Sequence, residues 1–150
     1  MSRLLLDLNK TAIPKTITQH PPPTSGINRV LIIDNDKSFH KVIIQKLEAF
    51  APDSSTQSIY KSEDAINKIL LMQTLTNNDI IFVNVEMTGM SGVHFSEKLS
   101  TIINKQEGRP RVFIASSSLD HFVINKSQKF NFVEDFIPKP LLDDDLRALM

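Results

Sequence analysis

The sequence predicts an α/β fold in which one parallel sheet carries helices on both faces. Three observations predict it. Short uninterrupted apolar runs recur at residues 30–33, 80–83 and 112–115, as in strands buried on both faces. Between them, apolar residues return at helical spacing, and that alternation implies parallel strands joined by helical crossovers. The chain has 150 residues, 41% of them hydrophobic and 23% charged, which suits one domain with a single core.

Residues 1–28 stand apart as a proline-rich tail. Pro14 and the run Pro21-Pro22-Pro23-Thr24-Ser25-Gly26 remove backbone donors and favour extended chain. Leu4, Leu5, Leu6 and Leu8 offer a short apolar stretch within it. The domain itself is expected over residues 29–150. Val30-Leu31-Ile32-Ile33 forms its first strand. Phe39, Val42, Ile43, Leu47 and Phe50 then mark a helix, with Asp36 placed to cap it. Residues 56–60 form a weaker strand. Ser62 is expected to cap a helix bearing Ala65, Ile66, Ile69 and Leu70. Ile80-Ile81-Phe82-Val83 is the third strand, and Phe95, Leu99, Ile102 and Ile103 mark the helix after it. Val112-Phe113-Ile114-Ala115 is the fourth strand. Leu119, Phe122, Val123 and Lys126 outline a further helix, and Phe136-Ile137 ends a fifth strand. Leu142, Leu146 and Leu149 share one face of a last helix. Asp143, Asp144 and Asp145 lie in its first turn, where negative charge complements the helix dipole. The natural topology for this order is flavodoxin-like, doubly wound and five-stranded, with strand order 2-1-3-4-5.

Composition excludes several functions. Seventeen basic and seventeen acidic residues cancel, so charge gives no reason to expect nucleic acid or a membrane surface as partner. Cysteine is absent, which removes disulfides, thiolate chemistry and cysteine-bound metal, and fits a cytoplasmic protein. No apolar run approaches the roughly 20 residues that span a bilayer. His20, His40, His94 and His121 lack metal-ligand spacing, and His40 and His94 are expected as surface or half-buried residues on helices. Ser116-Ser117-Ser118 has no glycine-flanked elbow and no histidine placed as its base, so hydrolase chemistry is not expected.

In the 2-1-3-4-5 topology, ligands bind beyond the carboxyl ends of the strands. Strand one is followed by Asp34-Asn35-Asp36 and strand three by Asn84-Val85-Glu86-Met87-Thr88-Gly89-Met90-Ser91-Gly92. Strand four ends at Ser116 and strand five leads to Lys139-Pro140. Acid, amide, hydroxyl and ammonium groups therefore converge on one edge of the sheet.

With these residues the chain resembles the receiver domains of response regulators, the CheY-like family, over residues 29–150. Ile32-Ile33-Asp34-Asn35-Asp36 resembles the acidic motif that ends strand one. Asn84 with Met87, Met90 and Gly92 resembles the phosphoacceptor loop. Ser116 matches the switch hydroxyl, Phe136 the switch aromatic, and Lys139-Pro140 the lysine with its following proline, usually cis. The resemblance implies a signalling protein of two-component or phosphorelay type. Its partners would be proteins, such as a histidine kinase or a phosphotransfer protein, and it would act as a monomer or as a homodimer through its last helices.

The departures are chemical. The family's phosphoacceptor is an aspartate, and Asn84 stands there. A carboxylate attacks phosphorus as a nucleophile, whereas a neutral amide oxygen is far poorer. Asn35 stands where the family has a second acid for Mg²⁺, a hard cation that relies on carboxylates. Two neutral positions together read as a degenerate pocket of Asp34, Asn35 and Glu86. Asp34 and Glu86 remain as weak metal ligands at most, and no cofactor is expected. Thr88 stands where the loop usually has proline, and Phe132 near where a glycine usually precedes strand five. Lys139 is expected to pair with Asp34. The function expected is phosphorylation-independent protein binding by a pseudo-receiver that is not an enzyme. The alternative is a receiver that accepts phosphate on Asp34, Asp36 or Glu86 with weakly held Mg²⁺. The chain ends at Met150 with no DNA-binding segment, so direct transcriptional action is not expected.

Overall fold

The computed structural model describes residues 26–72, 75–84, 92–105, 107–117 and 133–149. They form β1 (Arg29–Ile33), α1 (Lys37–Phe50), β2 (Ser55–Ile59), α2 (Ser62–Leu71), β3 (Asp79–Val83), α3 (Gly92–Asn104), β4 (Arg111–Ser116), β5 (Val133–Pro138) and α4 (Asp143–Leu149). The strands make one sheet in the order β2-β1-β3-β4-β5, every neighbouring pair parallel. This is the expected flavodoxin-like topology. The helix expected around residues 119–126, together with Phe132, Glu86, His20, His121 and the tail leucines, lies outside the described residues.

Side chains of a strand alternate between the two faces, and here both faces are buried. Leu31, Ile33, Ile81, Val83, Val112 and Ile114 pack under α2 and α3, against Ala65, Ile69, Phe95, Leu99 and Ile103. Val30, Ile32, Ile80, Phe82, Phe113 and Ala115 point the other way, onto Phe39, Ile43 and Leu47 of α1 and Leu146 and Leu149 of α4. The unbroken apolar runs thus have a direct cause, since neither face of the central strands meets water. β5 breaks the alternation. Val112 pairs with Val133 but Phe113 pairs with Asp135, so Glu134 is an extra residue. A bulge of this kind reverses the facing of the residues beyond it. Val133 and Phe136, three apart, therefore share one face, while Ile137 joins the other.

At the amino ends of the strands the chain is held by ion pairs. Arg29 donates to both carboxylate oxygens of the fully buried Asp79, at 3.0 and 2.6 Å, and Thr76 N donates to Asp79 Oδ2 at 2.8 Å. The Asp79 hydrogen bond, opposed by burial and aided by its charge, raises the pKa of Arg29. Ile27 packs on the core, and the N–H of Asn28 donates to Asn78 O at 2.9 Å. Gly108 lies so close to the backbone of Leu75 that an added Cβ would fall 2.0 Å from Leu75 O.

Three local expectations need correction. The cap position of α2 falls on Lys61, without a side-chain cap, and Ser62 is the buried first residue of the helix. Leu142 is not part of the α4 stripe: it precedes the helix and is exposed, while Leu141 is buried in its place. Asp145, three residues on, reaches back to accept from Leu142 N at 3.0 Å, which fixes this turn as half of a capping box and directs Leu141 inward. His40 is not a surface residue but lies inside, 2% exposed. It follows Phe39 and precedes Ile43 by three and Leu47 by seven, which places it on the apolar stripe of α1. Among the described residues no helix is long and apolar enough to cross a membrane.

Candidate functional site

The carboxyl ends of β1, β3, β4 and β5 meet at one edge of the sheet, and Asp34 sits at their centre. It directly follows β1 and is 1% exposed. A buried carboxylate needs partners for both oxygens; here Oδ1 has two hydrogen-bond donors, and Oδ2 has an ion pair in place of a hydrogen bond. Oδ1 accepts from Asp36 N at 2.9 Å and from Asn84 Nδ2 at 3.1 Å. Oδ2 faces Lys139 Nζ at 2.5 Å, an ion pair in which both side chains are nearly out of water. The main chain of Asp34 is held as well. Its N–H donates to Ile59 O at 3.0 Å, and its carbonyl lies 2.6 Å from His40 Nε2.

Asn84 directly follows β3 and is buried, with its own N–H donated to Ile33 O at 2.9 Å. Register explains the meeting. Ile33 pairs with Val83 across β1 and β3, so the next residue of each strand, Asp34 and Asn84, emerges side by side. At this distance the residue type decides the chemistry. An amide offers N–H donors to a carboxylate, whereas an aspartate at position 84 would set two negative groups against each other.

Lys139 comes from the turn after β5, where the Lys139–Pro140 bond is cis. Its N–H donates to Ser116 O at 3.0 Å, which ties the turn to the end of β4. Its ammonium also lies 3.8 Å from Asp36 Oδ2 and 4.5 Å from the centre of the Phe39 ring. Asp36 has two tasks: Oδ1 caps α1 by accepting from Ser38 N at 3.0 Å and Phe39 N at 3.4 Å, and Oδ2 adds charge beside Lys139.

The expected site residues are thus distributed unevenly. Asp34, Asn84 and Lys139 form one cluster joined by a hydrogen bond and an ion pair, with Ser116 attached through its carbonyl and itself buried. Asn35 is exposed, next to the cluster in sequence but open to solvent. Phe136 is a buried core residue on the α2–α3 face. Glu86 lies outside the described residues. His94 is exposed on α3. Among the described residues no group of three histidine, cysteine, aspartate or glutamate side chains is placed to hold a metal ion. His40 is the site residue that the sequence pattern did not single out; its place on the apolar stripe of α1 was the available signal.

Beside the cluster lies an open cavity of about 300 Å³. Phe39, Val42, Pro140 and Leu141 give it apolar walls, and Asp36 and Lys139 stand at its polar side. It is bounded by α1 and by the turn that carries Lys139, so the polar cluster and an apolar recess share one edge of the molecule.

A family model for the response regulator receiver domain matches residues 30–150. The chain belongs to the response regulator receiver family. Solved receiver structures share its fold. A two-component response regulator from Cytophaga hutchinsonii is 24% identical, with a TM-score of 0.71 over 83% of this chain and 94% of that one. A CheY-like receiver domain protein from Methanospirillum hungatei JF-1 is 16% identical, with a TM-score of 0.67 over 83% and 90%. The chemotaxis protein CheY4 of Vibrio cholerae is 14% identical, with a TM-score of 0.64 over 83% and 96%. At these identities the likeness speaks for the fold. No curated protein gives a significant sequence match. As a receiver domain of two-component signalling, the chain works through contacts with other proteins.

Proposed function

We propose that this receiver has left phosphoryl transfer and acts as a cytoplasmic, phosphorylation-independent binding domain, a pseudo-receiver and not an enzyme. The observation that carries the reading is the hydrogen bond from Asn84 Nδ2 to Asp34 Oδ1, at 3.1 Å. The residue at the acceptor position spends its side chain on satisfying its neighbour and has no carboxylate oxygen to offer phosphorus. Mg²⁺, which the family implies, does not suit this donor set. Asp34 supplies the only buried carboxylate of the Asp34–Asn84–Lys139 cluster, and both its oxygens already have donors or an ammonium. Magnesium demands oxygen ligands in near-octahedral array and seldom binds without carboxylates or phosphate.

The cavity beside Lys139 supports the binding half of the reading. Its volume and apolar walls suit an aliphatic or aromatic side chain of a partner protein, such as a histidine kinase or a phosphotransfer protein, anchored in a pocket with a polar rim. The test is incubation of the whole chain with Mg²⁺ and a small-molecule phosphodonor, followed by intact-mass and peptide analysis. No gain of phosphate is expected. Phosphate on Asp34, Asp36 or Glu86 would overturn the reading in favour of a receiver with a replacement carboxylate.

A further inference from the structure

His40 is buried and has no part in the Asp34–Asn84–Lys139 cluster's side-chain bonds, yet it touches the cluster's central residue. Its Nε2 lies 2.6 Å from Asp34 O. A carbonyl oxygen only accepts, so Nε2 carries the proton and donates. Among the described residues, the other ring nitrogen, Nδ1, is buried without a hydrogen-bond partner. An imidazole in this position is a costly way to fill space, because a buried polar atom left unpaired opposes folding and an apolar ring would carry no such penalty. The bond to Asp34 is what the imidazole supplies and an apolar ring would not. On its outer side the ring meets Tyr60, with centroids 4.5 Å apart and planes tilted by 50°. Tyr60 follows Ile59, whose carbonyl accepts from Asp34 N. The peptide groups on either side of Asp34 are therefore gripped by neighbours that are themselves in sequence or in contact: Ile59 before it, His40 after it, and Tyr60 joining the two. Tyr60 is 42% exposed, with Lys37 Nζ 5.8 Å from its ring centre.

We propose that His40 is a positioning residue that fixes Asp34 in the cluster and couples it to the exposed Tyr60, at the β1–β2 edge of the sheet. The coupling runs on the opposite side from Ser116 and Phe136, so a change at Asp34 reaches the surface at Tyr60 without passing through β4 or β5. The inference goes beyond the binding-domain reading and is independent of it. Phosphate found on a carboxylate would remove that reading and leave this one standing.

The test uses three full-length chains: wild type, His40→Phe and His40→Gln. Phenylalanine keeps a ring but donates nothing. Glutamine can place an amide N–H where the Nε2–H stands. Hydrogen exchange at the amides of Asp34 and Asp36 is expected to quicken about tenfold or more in His40→Phe and to return to within about threefold of wild type in His40→Gln. The amides of Ile32 and Phe82 serve as the reference for global stability. Unchanged exchange at Asp36 in His40→Phe, an equal rise at Ile32 and Phe82, or failure of glutamine to restore the slow rate would each overturn the proposal. The coupling has its own readout. The chain has one tyrosine and no tryptophan, so intrinsic emission reports Tyr60 alone. Asp34→Asn is expected to change that emission when His40 is present and to leave it unchanged in the His40→Phe chain. The same change in both backgrounds would sink the coupling. The exchange arm keeps Asp34 intact and so tests the clamp on a chain whose ion pair is undisturbed.

Discussion

At Asp34 the molecule keeps a carboxylate almost wholly out of water, and Lys139 makes that tolerable. A buried ion pair adds little over a well-packed apolar pair, because desolvation offsets the attraction, but removing one partner strands the other. Lys139→Met should therefore lower stability by about 3 kcal/mol, the lower end of the range for a broken buried pair, since Asp36 N and Asn84 Nδ2 still serve Oδ1. Adding Asp34→Asn to that variant should recover part of the loss, because no charge is then left without its counterion. Urea unfolding of the two single variants and the double variant measures the coupling. A loss under about 1 kcal/mol for Lys139→Met would place the pair with weak surface bridges. This pair is readable in the sequence, since Asp34 and Lys139 follow strands whose carboxyl ends open on the same edge of the sheet. The Asn84 bond depends on the β1–β3 register, which the sequence implies only through topology. His40 is not legible in the same way, although it stands in line with Ile43 and Leu47. A histidine on an apolar stripe is ambiguous until an acceptor is in view, and the acceptor is a backbone carbonyl that no side-chain pattern marks.

The central strands β1, β3 and β4 are legible because burial on both faces leaves an unmistakable apolar run, whereas β2, Ser55-Thr56-Gln57-Ser58-Ile59, buries one residue and reads weakly. The other exceptions are places where one residue changes its facing. Glu134 adds a residue to β5, and nothing in Val133-Glu134-Asp135-Phe136 announces a bulge, since its cause is pairing with β4. Spacing alone puts Leu142 in α4, and the bond from its N–H to Asp145 shows why the helix begins after it. Packing of α4 on α1 is supplemented by an ion pair between Lys46 and Asp143. The hydrogen bond from Lys46, aided by its charge, holds the Asp143 carboxyl below its ordinary value of 3.8. A carboxylate whose pKa is depressed by folding contributes stability above its unfolded pKa and loses that contribution as pH falls through the folded value. The contribution is therefore present at neutral pH and disappears below about pH 4. Asp143 is more than half exposed, so screening keeps it small. Asp143→Asn should flatten the acid limb of the stability curve slightly at low salt and change nothing at high salt. Thermal unfolding between pH 2 and 7 at two ionic strengths checks both statements, and an effect that persists in high salt would count against an exposed pair.

Across the whole molecule, the sheet brings the strand ends together whether or not they carry an intact acidic site, and the residue types placed there decide which ligand stabilises the folded state. In this chain the stabilising cation is built in: Lys139 sits at 2.5 Å from Asp34, and Asn84 contributes donors in place of charge. Folding should then be indifferent to Mg²⁺. Placing an acid at both positions, Asn35→Asp with Asn84→Asp, should reverse the balance. Without metal, Asp34 and the new carboxylate at position 84 would repel across the gap now bridged by the amide, so the variant should unfold at a lower temperature than wild type. With metal, the variant should gain affinity for Mg²⁺ by about tenfold or more, because ligand charge count governs binding of this hard cation. A ligand at a hundred times its Kd adds about 2.7 kcal/mol to the folded state. Mg²⁺ titrated into the variant should accordingly raise its melting temperature toward or past that of wild type, while wild type stays level over the same range. The two lines cross if the neutral residues at positions 35 and 84 are what keeps Mg²⁺ out of the site. Parallel lines, with wild type responding to Mg²⁺ as strongly as the double variant, would mean that the site binds metal with Asn35 and Asn84 in place.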